Sequence, residues 1–209
     1  MTGIHTDLRE VAAQIYRPTF STDAKTIVVS YPKSGVTWLR YLAAQVIVAE
    51  IGLDGDSSAS TVEVEALTTR FGLPPIQWSH NGSSLVFENG VRLPPRALFL
   101  TPVRLGFQAR RVLLLVRDPR DVTVSNYYQV TRRTARPLQV GDIDEFYLDP
   151  LRGVRRTVTF MRQWERSARL TKAFHLVRYE DLRAGINITS VAGITGNAGQ
   201  TNYASAKAG

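Results

Sequence analysis

Lys33, Ser34 and Gly35 stand in the stretch Tyr31-Pro-Lys-Ser-Gly-Val-Thr-Trp38, whose residue types suit the holding of an anion. The lysine supplies full charge, the serine a hydroxyl, and the glycine lets backbone N–H groups approach a ligand. This is not a Walker loop, because Lys33 precedes Gly35 and no G-x-x-x-x-G-K is present. A second group lies in Arg117-Asp-Pro-Arg-Asp-Val-Thr-Val-Ser125. There Arg117 offers a planar fork suited to a phosphate, and Ser125 adds a hydroxyl. Arg117 pairing with Asp118 or Asp121 is the competing assignment, and a solvated position at a helix start suits Arg120 equally well.

The elements that must position these groups follow from local pattern. Ile27–Val29 is a short β-branched run ending at Pro32 and Gly35, which predicts a buried strand entering a tight loop. Val36–Ile51 behind it is apolar and long enough for a well-buried helix, whose free N–H groups and positive dipole end would face the loop. A helix is expected around Asp7–Tyr16, a loop over Gly52–Ser60 and a short helix over Val62–Arg70. Gly72–Pro95, interrupted by four prolines, reads as irregular with at most short strands. Arg111–Val116 is continuously apolar from Val112, as a strand buried on both faces should be, and Asp118 and Pro119 suit the cap and first turn of the next helix. A short helix is expected within Gly141–Asp149 and a longer one over Val154–Leu170. In the latter, Phe160 and Trp164 form a core stripe, and Arg162, Arg166 and Arg169 lie on the opposite face. Phe174–Arg178 is the last strand expected. Alternating strands and helices imply an α/β fold with a mostly parallel sheet. Ligands then bind beyond the carboxyl ends of the strands, where the Lys33 and Arg117 loops both fall.

Composition narrows the class. At 209 residues with 44% hydrophobic and 21% charged, the chain has the balance of an ordinary globular protein with a real core. It contains no cysteine, which excludes disulfides and thiolate metal sites. A formal charge of +8 fits a partner rich in phosphate, sulfate or carboxylate, or simply a soluble basic surface. The basic residues are spread over many elements without interleaved aromatic platforms, which argues against nucleic acid. Met1–Arg9 lacks the apolar core of a signal peptide and no run reaches membrane-spanning length, so a cytoplasmic protein without a membrane span is expected.

Tyr31–Trp38 resembles the 5′-phosphosulfate loop of sulfotransferases that use 3′-phosphoadenosine 5′-phosphosulfate (PAPS). Arg117–Ser125 resembles that family's 3′-phosphate motif, and Tyr179-Glu-Asp-Leu182 its later Tyr-Glu-Asp-Leu element. The three stand in family order across about residues 26–183. The resemblance implies a P-loop-like α/β core, PAPS as cofactor without a metal, and a small-molecule or glycan acceptor. Lys33 would steady the oxygen between phosphate and sulfuryl groups, where negative charge grows as that bond breaks. Ser34, Gly35, Val36 and Thr37 would donate to the 5′-phosphate; Val36, where the family more often has Ser or Thr, contributes only its backbone. Arg117 and Ser125 would hold the 3′-phosphate, while Trp38 and Tyr179 would meet the adenine, core positions being the alternative for both aromatics. His80, in Trp78-Ser-His-Asn81, stands where family members carry a catalytic histidine. It is the candidate base for the acceptor proton, with a structural or exposed histidine as the alternative and Glu88 as the second candidate. His5 and His175 have no supporting context.

At Ala184 the composition changes. Ala184–Gly209 holds no acidic residue, no arginine and one lysine. Its Ser190, Tyr203 and Lys207 have the spacing of short-chain dehydrogenase/reductases, close to β-ketoacyl carrier-protein reductases, in which serine and tyrosine polarise a carbonyl and lysine lowers the tyrosine pKa. No upstream T-G-x-x-x-G-x-G loop is present to hold a nicotinamide, so reductase activity is not expected. The expected organisation is a C-terminally truncated sulfotransferase-like domain over 1–183 and a reductase-like fragment over 184–209. That fragment stands where sulfotransferases carry an Arg-Lys-Gly clamp on the 3′-phosphate. A nucleotide-binding but catalytically impaired chimera is therefore the alternative to a working enzyme.

Overall fold

The computed structural model describes residues 24–51, 64–80, 82, 83, 108–133, 137 and 139–183. The helix expected at Asp7–Tyr16, the loop Gly52–Ser60, His5, Glu88 and the whole of Ala184–Gly209 lie outside the described residues.

Strand β1, Thr26–Ser30, is buried along its entire length. It feeds helix α1, Val36–Ile51, and then α2, Val64–Arg70. Strand β2, Ile76–Ser79, follows, and β3 covers Arg111–Val116. Helices α3 (Pro119–Arg132), α4 (Ile143–Leu148) and α5 (Val154–Ser167) lead through a 3-10 turn to β4, Ala173–Arg178, and then to α6, Tyr179–Arg183. The expected α/β class with a parallel sheet is what forms. Among the described residues, four strands run parallel in the order β2-β1-β3-β4, with Ile27 opposite Val112 and Leu113 opposite His175.

Two apolar layers hold the sheet. Val28, Leu113 and Leu115 point to one face, onto Leu39, Ala43, Ala44 and Ile47 of α1 and Val64 of α2. Ile27, Val29, Val112 and Leu114 alternate to the other, onto Val122 of α3 and Phe160 and Trp164 of α5. Each such large side chain, fully removed from water, contributes about 1.5–3 kcal/mol relative to exposure. Arg162, Arg166 and Arg169 face outward, as expected.

Within Gly72–Pro95, expected as irregular with at most short strands, residues 76–79 form one short strand, whose pairing with β1 supplies the hydrogen bonds that prolines 74 and 75 limit only at its start. One element differs from expectation. Helix α1 is buried on one face and not all round: Leu39, Ala43, Ala44 and Ile47 are covered, whereas Trp38 is 42% exposed. Small alanines let the helix lie close on the sheet. The connections from β1 and β3 run to opposite sides, since β2 lies beyond β1 and β4 beyond β3. The crevice between the carboxyl ends of β1 and β3 is therefore the switch point at which such sheets bind ligands.

Candidate functional site

The loop leaving β1 is built from backbone first. Tyr31, Pro32, Lys33 and Ser34 form a turn closed by the Ser34 N–H donating to the Tyr31 carbonyl at 3.1 Å. Lys33 takes the third position with φ 72°, the left-handed value that a type II turn requires there. That value is uncommon for a residue with a Cβ and is characteristic of functional sites, where the surrounding structure enforces it. Gly35 follows at φ 96°, and a Cβ built on it would lie 2.3 Å from Cδ2 of Tyr179. Glycine is thus required both by conformation and by the ring against it. The first helical bond of α1 runs from the Leu39 N–H to the Gly35 carbonyl at 3.0 Å. The N–H groups of Val36, Thr37 and Trp38 accordingly have no acceptor within the helix, and they stand at its positive end.

One expected donor is occupied. The Ser34 N–H serves the turn, so among this residue's groups only the hydroxyl is left; that Oγ is buried and without a partner among the described residues. An unsatisfied buried polar group costs roughly 1–3 kcal/mol, which a ligand oxygen would offset.

Arg117 closes the other side of the crevice. Its Nη1 donates to the Lys33 carbonyl at 3.3 Å and its Nη2 to Asp121 Oδ2 at 3.4 Å. Its guanidinium carbon stands 4.7 Å from the Tyr179 ring centroid, and its Nε is buried without a partner among the described residues. The Asp121 pairing weighed above therefore exists but is long, leaving the fork available to a stronger anion. Asp118 caps α3, accepting from the Arg120 N–H at 2.9 Å, while its own N–H donates to Glu180 Oε1 at 2.9 Å and so fastens α6 to this loop. Arg120 folds onto Asp118, Nη2 to Oδ2 at 2.6 Å, and this hydrogen bond holds the Asp118 carboxyl down at about 2. Arg120 is the solvated helix-start arginine.

Lys33 Nζ donates to Gln129 Oε1 at 3.1 Å. Asp121, Ser125 and Gln129 recur every four residues, so Ser125 lies on the face of α3 between the Arg117 partner and the Lys33 partner. Gln129 was missed in the sequence, although counting one more turn beyond Ser125 would have found it. Trp38 is not a core tryptophan, being 42% exposed and stacked on Tyr41 at 5.5 Å.

His80 emerges directly after β2. Its Nδ1 lies 2.9 Å from the Ser30 carbonyl and 3.3 Å from the Ser30 hydroxyl. A carbonyl has no proton to give, so Nδ1 carries the proton of the neutral ring and Nε2 the lone pair. Glu88, the other candidate base, lies outside the described residues. His175 is exposed on β4, away from these loops. Lys33, Ser34, Gly35, Arg117 and Tyr179 thus meet directly. Val36, Thr37 and Trp38 stand on the adjoining helix turn, Ser125 stands on the facing helix, and His80 is tied to the end of β1.

Phosphate-type ligands fit this donor set. The start of α1, the Ser34 hydroxyl and the Arg117 Nε, both without a partner among the described residues, stand by the Tyr179 ring that the Gly35 gap admits, and the Lys33 ammonium lies further along α3. A parallel α/β sheet with such a pair of loops at its switch point has the form of a phosphate-binding α/β core. The model of the sulfotransferase domain matches residues 23–188, and the chain belongs to that family. Sulfotransferase 2A6 of Rattus norvegicus is 30% identical over 161 residues, covering 75% of this chain and 53% of that protein. Sulfotransferase 2A1 of the same organism is 30% identical over 172 residues, covering 77% and 55%. The chain thus spans about half the length of the curated relatives it matches. The crystal structure of mouse sulfotransferase SULT7A1 complexed with PAP shares the fold, with a TM-score of 0.52 and 17% identity over 92% of this chain and 66% of that one.

Proposed function

We propose that this chain transfers a sulfuryl group from PAPS to a hydroxyl or amine of a small-molecule or glycan acceptor. The observation that carries this reading is the Arg117–Lys33 junction, Nη1 to carbonyl oxygen at 3.3 Å. It ties the two loops together while their charges stay apart, the Lys33 ammonium on Gln129 and the Arg117 guanidinium on Asp121, eight residues or about 12 Å along α3, which suits a nucleotide with phosphates at both ends. The PAP named with the mouse relative is the by-product such a transfer would leave.

PAPS, when bound, supplies the sulfuryl group and a phosphate leaving group. Ser34 through its hydroxyl, and Gly35, Val36 and Thr37 through the helix start, hold the 5′-phosphate; Arg117 and Ser125 hold the 3′-phosphate; Trp38 and Tyr179 flank the adenine. Lys33, whose ammonium rests on Gln129, would serve the leaving oxygen, where transfer places growing negative charge. His80 accepts the acceptor's proton at Nε2, the nitrogen left basic by its bond to Ser30.

Calorimetric titration with PAP, paired with transfer of labelled sulfate from PAPS, tests the proposal. Arg117→Ala is expected to weaken PAP by about 10- to 100-fold, the loss of a charge-assisted pair. Lys33→Ala is expected to lower turnover by about 100-fold or more. No PAP binding by the wild type would overturn the reading. PAP binding without Lys33-dependent transfer would select the second reading, a nucleotide-binding chain without turnover. That second reading rests on residues 184–209, which carry no arginine to serve as a 3′-phosphate clamp.

A further inference from the structure

Arg156 is placed where an arginine should not be. Only 5% of it is exposed, it lies in the first turn of α5 where the helix dipole opposes a cation, and that turn holds no acid. The ion pairs of the described residues, Arg40–Glu65, Arg117–Asp121, Arg120–Asp118 and Arg152–Asp149, do not include it. Burial lowers its pKa, and its Nε has no partner among the described residues. A buried, unpaired guanidinium is a net cost to stability, so its contacts must account for it. Those contacts reach the two loops of the site. Nη2 donates to the Gly82 carbonyl at 3.0 Å, and the Arg156 charge acts on the buried phenol of Tyr31, the residue that opens the Lys33 turn.

Gly82 belongs to the turn that starts at His80. The Ser83 N–H closes it onto the His80 carbonyl at 3.0 Å, and Gly82 sits at φ 86°, as the third position of a type II turn requires. We propose that Arg156 is a positioning residue for His80: by gripping Gly82 from behind, it holds the imidazole against the Ser30 carbonyl and so fixes which nitrogen is basic. This rests on His80 being the base of the proposed transfer. The chain from α5 to the imidazole is short: guanidinium, Gly82 carbonyl, turn, ring, and then the end of β1. His80 itself is exposed, so without that grip water would compete for its Nδ1–H.

The test reads the ring without any ligand. The full chain has three histidines, and selective nitrogen-15 labelling resolves their tautomers by long-range proton–nitrogen correlation. In the wild type His80 is expected as the Nδ1–H form; an Nε2–H or averaged ring there overturns the proposal. In Arg156→Met, with His175 on β4 unchanged as the marker of an intact sheet, His80 is expected to lose its preference and show the mixture of a free imidazole. A folded variant that keeps the Nδ1–H form overturns the proposal. Arg156→Lys, which keeps the charge but not the fork, is decided by the same criterion, and failure of both variants to fold overturns it too, marking Arg156 as a core residue only. Turnover from PAPS should fall about tenfold or more in either variant, with PAP affinity within about twofold of wild type. If the wild type binds no PAP while the tautomer still depends on Arg156, the proposed function fails and the positioning role stands.

Discussion

At the scale of single residues, Lys33 combines its proposed role with local strain. A lysine at φ 72° holds a conformation that costs a residue with a Cβ roughly 1–2 kcal/mol, and glycine would hold it freely. Lys33→Gly is therefore expected to leave the melting temperature equal or higher while transfer from PAPS disappears; Lys33→Ala should lose transfer with no gain in stability. A clear fall in melting temperature for Lys33→Gly would show that the Gln129 contact outweighs the strain. Asp118 makes a second prediction. Its carboxyl is held at about 2, first by the Arg120 side chain and then by the Arg120 N–H. A depressed carboxyl stabilises the fold fully above the ordinary carboxylate range, and that contribution is lost as pH falls from about 4 towards 2. Asp118→Asn keeps a capping oxygen but not the charge, so the fall in melting temperature across that window should become shallower. An identical acid limb in the variant would mean that other carboxylates carry it.

Between elements, the meeting of the β1–α1 loop with α6 decides the site. Tyr179 lies so close over Gly35 that a methyl there would stand 2.3 Å from Cδ2 and 2.5 Å from Cε2, at a φ of 96° that alanine resists. Gly35→Ala is expected to cost at least about 2 kcal/mol and to abolish PAP binding, because the ring must swing away from Arg117. Adding Tyr179→Ala should recover part of the stability, by removing the clash, but not the backbone strain. A double variant no more stable than Gly35→Ala would place the whole cost in the backbone. Much of this interface was legible in the sequence. The β-branched run before Pro32, the apolar run before Arg117 and the Asp118–Pro119 cap are local signals, and the elements they announce form within a residue of expectation. What was not legible came from pairing across the chain. The β2 strand is four residues beside two prolines, and only its ladder with β1 makes it a strand. Gln129 and Arg156 look like ordinary helix residues until tertiary contact sets one on Lys33 and the other on Gly82.

For the molecule as a whole, α6 sets the least extent of the folded unit. Leu182 of α6 is 6% exposed in the layer shared by α1 and the sheet, and Glu180 fastens the same helix to the Asp118 loop, so the unit must run at least through α6. The match to the family runs on to residue 188. Beyond it the chain loses all acidic residues and nearly all basic ones, a composition that matches nothing in the preceding core. Among the described residues β4 is the last strand of the sheet and leaves Leu176 52% exposed, an apolar surface suited to docking of a following segment. A chain stopped after Ile188 separates these cases. If 184–209 is independent of the fold, the shortened chain melts within about 2 °C of the full one and binds PAP equally well, since a packed segment worth even 1 kcal/mol would move the melting temperature of a chain this size by roughly 2–4 °C. A larger drop, with Leu176→Lys lowering the full chain but not the short one, would show that the last residues cover β4 and belong to the domain. Because Ser190, Tyr203 and Lys207 all leave with the cut, the same pair of proteins also settles whether any reduced-nicotinamide oxidation resides there; none is expected in either.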